Sequence, residues 1–457
     1  MNTDPRETIL KSPMTALQVF AVAITIGLNA LDGFDVLSIS FASPGISSEW
    51  GIDRKQLGFV LSMELIGMAI GSIILGGVAD KIGRRPTMLG CLVVMSVGMF
   101  MATTVKGIID LSLWRVMTGL GIGGLLACIN AVAAEFSNAK RRHLSVSFMT
   151  IGYPLGAVFG GLVAAQLLKG TGDWRSVFYF GSVVTACFIP LVYFFVPESV
   201  HWLTQKQPPG ALEKINRTLK RLHHPPITSL PVISAEARKR SIADIFAPGL
   251  IATTILITGA YFFHITTFYF ILKWVPKIVG DMGFAASSAA GVLVWANVGG
   301  SIGGAVFGLL TQKYGIKALT VGILAMSGVM VAFFGQSPPD LQRLSLACAL
   351  AGFCTNAGIV GLYAILAHAF PTYVRATGTG FAIGVGRGGS VLGPIVAGYL
   401  FTAGYTLPTV SIFMAVGSFI GAGLLLMLTL KPEDPTEGVV APGPTSTSGM
   451  KNATAVP

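Results

Sequence analysis

The chain has 457 residues, of which 53% are apolar and only 11% charged, and its mean hydropathy is +0.72. A water-soluble domain of ordinary composition carries about 25% charged residues, so this exterior is built for lipid, and disordered, collagen-like and disulfide-stapled classes are excluded. The net charge of +11, from 31 Lys and Arg against 20 Asp and Glu, calls for either an acidic partner or a topological reason.

In chain order, residues 1–14 form a polar segment carrying Asp4, Arg6, Glu7 and Lys11, with no small-residue cleavage site of the kind that ends a signal peptide. Crossing a bilayer core as helix takes about 20 apolar residues. Such runs are predicted at 15–43, 56–78, 88–105, 109–134, 144–168 and 176–196, and again at 249–276, 285–311, 318–336, 344–368, 376–401 and 406–430. They define a first half, 15–196, and a second half, 249–430, joined by a polar, proline-containing linker at 197–248 that can carry short amphipathic helices. Residues 431–457 are rich in Pro, Thr, Ser and Gly and are expected to be disordered. The expected fold class is an all-α integral membrane protein with twelve transmembrane helices in two six-helix halves.

The basic residues are unevenly shared between alternate connections. One side holds 21 of the 31, among them Arg84, Arg85, Lys140, Arg141, Arg142, Arg238, Lys239, Arg240 and Arg375, and the other holds 7. By the positive-inside rule the linker and both termini are expected to be cytoplasmic in a multi-pass membrane protein. The charge is therefore topological: the lipid bilayer is the implied partner and nucleic acid is not. Cys91, Cys128, Cys187, Cys348 and Cys354 lie in apolar runs with no CxxC pair, which gives no redox or metal signal.

The two halves resemble each other. At an offset of 233, Arg142, Phe148, Gly156, Gly160 and Ala164 fall on Arg375, Phe381, Gly389, Gly393 and Ala397. At 232, the stretch Gly76–Arg85 falls on Gly308–Lys317, with Gln312 where Asp80 stands. Six spans return the chain to the side it started from, so the repeat is parallel, and transporters use such halves to enclose a site at the bilayer midplane.

Ionisable residues inside spans are costly, about 2.5–3.5 kcal/mol each on insertion scales, and point to function. Asp32 and Asp35 lie in the first span, in Leu31-Asp-Gly-Phe34-Asp-Val36, three residues apart and on one helical face, where crowding of two carboxylates favours keeping a proton on one of them. Arg387 lies about a dozen residues into the eleventh span between glycines, and its planar guanidinium matches a carboxylate bidentately. A structural ion pair with an acid across the bundle is the competing reading. His264 stands at Asp32 plus 232, at equivalent depth in the seventh span, as a candidate for proton or substrate contact. Glu64 faces either the central cavity or the outer vestibule. Asn130, Asn297 and Asn356 can line a path or tie helices together, and Phe34, Tyr153, Trp295 and Tyr363 can form aromatic walls or simple packing.

Gly76-Gly-Val-Ala-Asp80-Lys-Ile-Gly83-Arg84-Arg85 resembles the loop between the second and third helices of the major facilitator superfamily. Arg115-Val-Met-Thr-Gly119-Leu-Gly121-Ile-Gly123-Gly124 is similar to its fourth-helix signature. The Asp32-Gly-Phe-Asp35 element looks like the mark of the aromatic acid/proton symporter family within it. Pro197-Glu-Ser-Val-His201-Trp-Leu203 supports this, departing at His201, where the pattern more often has Arg. The resemblance spans nearly the whole chain. It implies import of a small aromatic carboxylate, benzoate-like or a hydroxylated or methoxylated acid, with protons and by alternating access. Asp35, with Asp32, would carry the proton; Arg387, with Asp35, Phe34, His264, Tyr153 and Asn297, would hold the substrate. Gly76, Asp80, Arg84, Arg85, Glu135, Arg142 and Arg375 would form the cytoplasmic gate, Glu135 pairing with Lys140–Arg142 or with Arg84. The driving force is the proton gradient, with no cofactor and no metal, and the working unit is a monomer. A proton antiporter exporting drugs or metabolites, and a symporter of non-aromatic organic acids, are the alternatives. An enzyme is disfavoured by the lack of HExxH and GxSxG motifs.

Overall fold

The computed structural model describes residues 4–231, 242–371 and 374–429, and all regular structure among them is helical. The basic cluster Arg238, Lys239, Arg240 and the expected tail at 431–457 lie outside the described residues. In the first half, a short α1 (Pro5–Lys11) precedes α2 (Ala16–Trp50), α3 (Arg54–Ile82), α4 (Arg84–Met101), α5 (Ile108–Glu135), α6 (Arg142–Thr171) and α7 (Arg175–Phe195). Two short helices follow, α8 (Val200–Lys206) and α9 (Ala211–Arg221), and then a 3-10 turn at Ile242–Phe246. The second half is α10 (Ile251–Asp281), α11 (Ala286–Leu310), α12 (Ile316–Gly335), α13 (Leu341–Ala369), α14 (Arg375–Thr402) and α15 (Leu407–Met427). Among the described residues, 11 of these helices are long and apolar enough to cross a membrane. The remaining long one, α4, has 18 residues and opens on Arg84 and Arg85, which dilutes its hydropathy.

The first long helix outruns its predicted end at residue 43. Pro44 sits inside it without breaking it, and the helix runs on to Gly51, which closes it at φ 58°. Proline removes the hydrogen bond that Ser40 O would accept. The Ser43 hydroxyl fills the gap, donating to Ser40 O at 2.8 Å.

Each half packs by the same scheme. In the first, α2 pairs with α6, α3 with α5, and α4 with α5 and α7; in the second, α10 pairs with α14, α11 with α13, and α12 with α13 and α15. Small residues set the closest approaches, since lipid gives apolar helices no solvent-driven reason to associate. Gly156 lies against the Ala30 backbone, and Gly389 lies against the carbonyl of Phe262. Gly119 packs on Glu64 O, and Gly352 on Ala296 O. Each partner pair recurs 232 or 233 residues later, so the sequence repeat is a packing repeat.

The halves meet along α3–α14, α6–α11 and α2–α10. Let the end bearing α1, α8 and the α3–α4 turn be the linker end, and the other the far end. At the far end Arg54 pairs with Asp281 at 2.9 Å, Gly58 lies against Pro394, and Ser62 Oγ donates to Val391 O at 2.8 Å. Along the same seam Arg387 donates to Met68 O at 3.3 Å. Past this level toward the linker end, Gly77, Gly380 and Gly384 are exposed with open space beside them. The two helices have parted there, so the halves are clasped at the far end and separated at the linker end.

The linker segment is divided between the halves. Trp202 Nε1 donates to Asp80 O at 2.9 Å, and Ile215 and Leu219 of α9, with Leu222 just past its end, are buried in the same apolar cluster as Val132 and Val196 of the first half. The 3-10 turn instead joins the second half, where Thr254 donates to Ile245 O at 2.7 Å and Phe246 meets Phe381 at 5.2 Å.

Candidate functional site

Asp32 and Asp35 are fully buried on α2, and among the described residues no well-formed hydrogen bond engages either carboxylate. Asp35 fills the space beside Gly181 of α7, where the neighbouring Thr185 hydroxyl is already committed to Gly181 O at 2.7 Å. Asp32 lies within electrostatic reach of Asp35, Glu64 and Arg387.

Beside this pair is a buried charge network that motif reading missed. Glu64 of α3 forms ion pairs with Arg115 of α5 and, at 3.4 Å, with Lys273 of α10, and all three side chains are at 0% exposure. Arg115 also donates to Asp35 O at 3.0 Å and to Met99 Sδ at 3.1 Å, and stacks over Phe178 at 5.3 Å. Lys273 donates to Val36 O. Arg115 therefore grips the α2 backbone at the proton-candidate residue, while Lys273 reaches from the second half into the first. The signal was present in the sequence as an acid and two bases inside apolar spans, without a motif to connect them.

Arg387 is half-buried on α14 at the level where the halves part. Gly386 and Gly389 let its helix close onto Tyr261 and Phe262 of α10. Its hydrogen bond goes to a backbone carbonyl, and among the described residues no carboxylate ion-pairs with it. Tyr261, hydrogen-bonded to Tyr363 at 3.1 Å, and Tyr269 lie within its electrostatic reach. Next to this cluster a narrow cavity between α6, α10, α11 and α13 is lined by Tyr153, Phe268, Asn297, Thr355 and Asn356. Asn356 donates to Gly300 O at 2.7 Å and so ties α13 to α11, whereas Asn297 donates to Leu293 O, at 3.0 Å, within its own helix.

Two expected substrate contacts sit elsewhere. His264 is fully buried in the second half, with Nδ1 bonded to Ser418 Oγ and Nε2 to Thr355 O, both at 2.9 Å, against Gly358. Both ring nitrogens are satisfied, so it works as a tie between α10, α13 and α15. Phe34 points into the first-half core, edge-on to Phe180 at 5.3 Å and against Gly160. Trp295 is exposed.

At the linker end Asp80 pairs with Arg84 at 2.6 Å within its own half. Glu135 accepts from the Ser199 hydroxyl instead of pairing with Lys140–Arg142. Glu198 accepts the backbone N–H of Arg84 at 2.9 Å and of Arg85 at 3.4 Å, which fastens the α3–α4 turn to the start of α8. Burial pushes its carboxyl up from the ordinary glutamate value. Gly76 lies near Ala127, Arg142 is exposed in the first turn of α6, and Arg375 donates to Phe370 O at 3.2 Å at the start of α14. Asp80, Arg84, Arg85 and Glu135 thus cluster around the α3–α4 turn and the start of α8, while Arg375 belongs to the second half.

The profile of the Major Facilitator Superfamily matches residues 25–348 and 257–454. The chain belongs to the major facilitator superfamily. It is therefore a transporter and not an enzyme. Among relatives in this superfamily, the gallate transporter of Pseudomonas putida is 26% identical over 93% of this chain and 94% of its own. The 4-hydroxybenzoate transporter PcaK of Pseudomonas putida is 28% identical over 85% and 88%, and the 3-(3-hydroxy-phenyl)propionate transporter of Escherichia coli K12 is 28% identical over 89% and 94%. These relatives are named for aromatic acids. The major facilitator fold is shared with the inward-open xylose transporter XylE of E. coli, at a TM-score of 0.69 and 17% identity over 91% of this chain and 97% of that one.

Proposed function

We propose that this superfamily member imports a small aromatic carboxylate together with protons, by alternating access between its two halves. The observation that carries the reading is Arg387, a permanent cation at the parting of the halves that, among the described residues, forms no ion pair with a carboxylate. A charge at that depth requires compensation, and a substrate carboxylate supplies it. Tyr153, Tyr269 and Phe268 offer aromatic surface nearby. Asp32 and Asp35, buried side by side on α2, are suited to carry the coupled proton. The linker end faces the cytoplasm of a bacterial inner membrane in this reading, which the basic loops support. A monomer suffices, and the proton gradient replaces any cofactor. Relatives named as gallate, 4-hydroxybenzoate and benzoate transporters support the substrate class.

The test uses purified protein in liposomes. Uptake of 4-hydroxybenzoate should rise with an inward proton gradient and collapse with an uncoupler. Arg387→Lys keeps the charge and loses the fork, so it should weaken acid binding, while 4-hydroxybenzamide should bind equally poorly to both proteins. Undiminished acid binding by well-folded Arg387→Lys removes Arg387 from the substrate site.

A further inference from the structure

Lys273 belongs to the second half, yet both of its bonds are to the first. Its ammonium donates to Val36 O of α2 and lies 3.4 Å from Glu64 Oε2 of α3. Glu64 has a second cation, Arg115, within its own half, whereas Lys273 has no other acid partner among the described residues. Opening the far end moves α10 away from α2 and α3 together. Glu64 then keeps Arg115, but Lys273 loses both partners at once. A stripped ammonium at that depth is costly unless water or an anion replaces what it lost.

The geometry points to Lys273 as a second carboxylate-binding residue that is masked by Glu64 and Val36 while the far end is closed and presented to the arriving anion when it opens. This rests on the reading of the chain as a carboxylate carrier. Along α3, Glu64 lies one helical turn nearer the far end than Met68, whose carbonyl holds Arg387. The two cationic stations are thus about 6 Å apart along that axis, and a carboxylate entering from the far side meets Lys273 first. Closure of the far end returns Lys273 to Glu64 and leaves the substrate with Arg387 alone. The anion is held by two cations where it loads and by one where it leaves, which makes affinity unequal on the two sides and favours release at the linker end.

Full-length protein reconstituted in a single orientation allows half-saturation to be measured from each side, with 4-hydroxybenzoate as the probe and hexanoate as a non-aromatic carboxylate. Lys273→Gln should raise the far-side half-saturation concentration about tenfold or more and leave the linker-side value within about twofold. Lys273→Arg should restore the far-side value, and Arg387→Lys should raise both. Glu64→Gln removes the charged part of the mask on Lys273 and leaves Val36 O, so it should lower linker-side half-saturation part of the way toward the far-side value, a readout that stands even if Lys273→Gln folds poorly. An equal change on both sides, or none, in either Lys273→Gln or Glu64→Gln overturns the inference. Transport of hexanoate but not 4-hydroxybenzoate would overturn the aromatic reading alone, with the side ratio then read on hexanoate. Binding of neither acid by the unaltered protein overturns both.

Discussion

Arg54 and Asp281 meet at 2.9 Å across the two halves, and Asp281 is held at the same time by Lys277 at 2.6 Å, one turn back on its own helix. When the far end opens, Asp281 is not stranded, because Lys277 travels with it. This is a clasp that can be released without leaving an orphaned charge, and its exposure (43% for Arg54, 28% for Asp281) keeps it weak. Pairs of this kind contribute about 0–1 kcal/mol.

Asp281→Asn should therefore shift the population toward the far-open state by no more than about fivefold, and the shift should shrink as salt screens the wild-type pair. Distances between spin labels on the far ends of α3 and α10 would report it. Unchanged distances at low ionic strength would mean that Ser62 and Gly58 hold the seam without the clasp.

Asp35→Asn should abolish accumulation driven by a proton gradient while sparing exchange of labelled for unlabelled substrate. The variant loses the titratable group but keeps the backbone carbonyl that Arg115 holds at 3.0 Å, so the local fold should survive. Vesicle uptake with and without a gradient measures both activities. Gradient-driven accumulation as strong as wild type would exclude Asp35 from coupling.

Glu198 gives stability a pH dependence at the linker end. Burial raises its carboxyl above the ordinary value of 4.5, against the pull of the N–H groups of Ser199, Arg85 and Arg84. The folded protein therefore binds this proton more tightly than the unfolded chain. The stabilisation is complete below pH 4.5 and is lost as pH rises through the raised value. Glu198→Gln, neutral throughout, should flatten that slope in thermal unfolding midpoints measured across this range. An unaltered slope would assign the dependence to another group.

His264→Asn and Gly156→Val should both act on stability. The first removes a tie between three helices, and the second drives a side chain into the Ala30 backbone, each costing about 1–3 kcal/mol. Gly308→Val, where open space lies beside the glycine, is the control and should leave the melting temperature near wild type. A change in proton dependence in His264→Asn at wild-type stability would return His264 to the transport path.

The fold was legible from sequence because lipid simplifies the code: a run of about 20 apolar residues has few fates, and Lys and Arg mark one side. Pro44 misled the boundary of α2, since a serine hydroxyl replacing a lost N–H cannot be read from residue identity alone. The candidate site was legible where a residue was anomalous by itself, as with Asp32, Asp35 and Arg387. It was illegible where the anomaly lay in a relation. Nothing in the one-dimensional order says that Glu64, Arg115 and Lys273 converge, or that Glu135 prefers Ser199 to the nearby basic cluster. His264 misled in the opposite sense, because the repeat placed it at the depth of Asp32 without saying which way its ring would turn.

Residues 197–231 lean on the first half and 242–246 on the second, so packing does not require one continuous peptide between them. Two reading frames, one stopping after position 231 and the other starting at 242, would each encode a bundle that keeps its own accessory helices and its own apolar cluster. Co-expressed in one membrane, the two polypeptides have the seams along α3–α14, α6–α11 and α2–α10 to find each other by. The chain is in this sense a heterodimer written as a single gene.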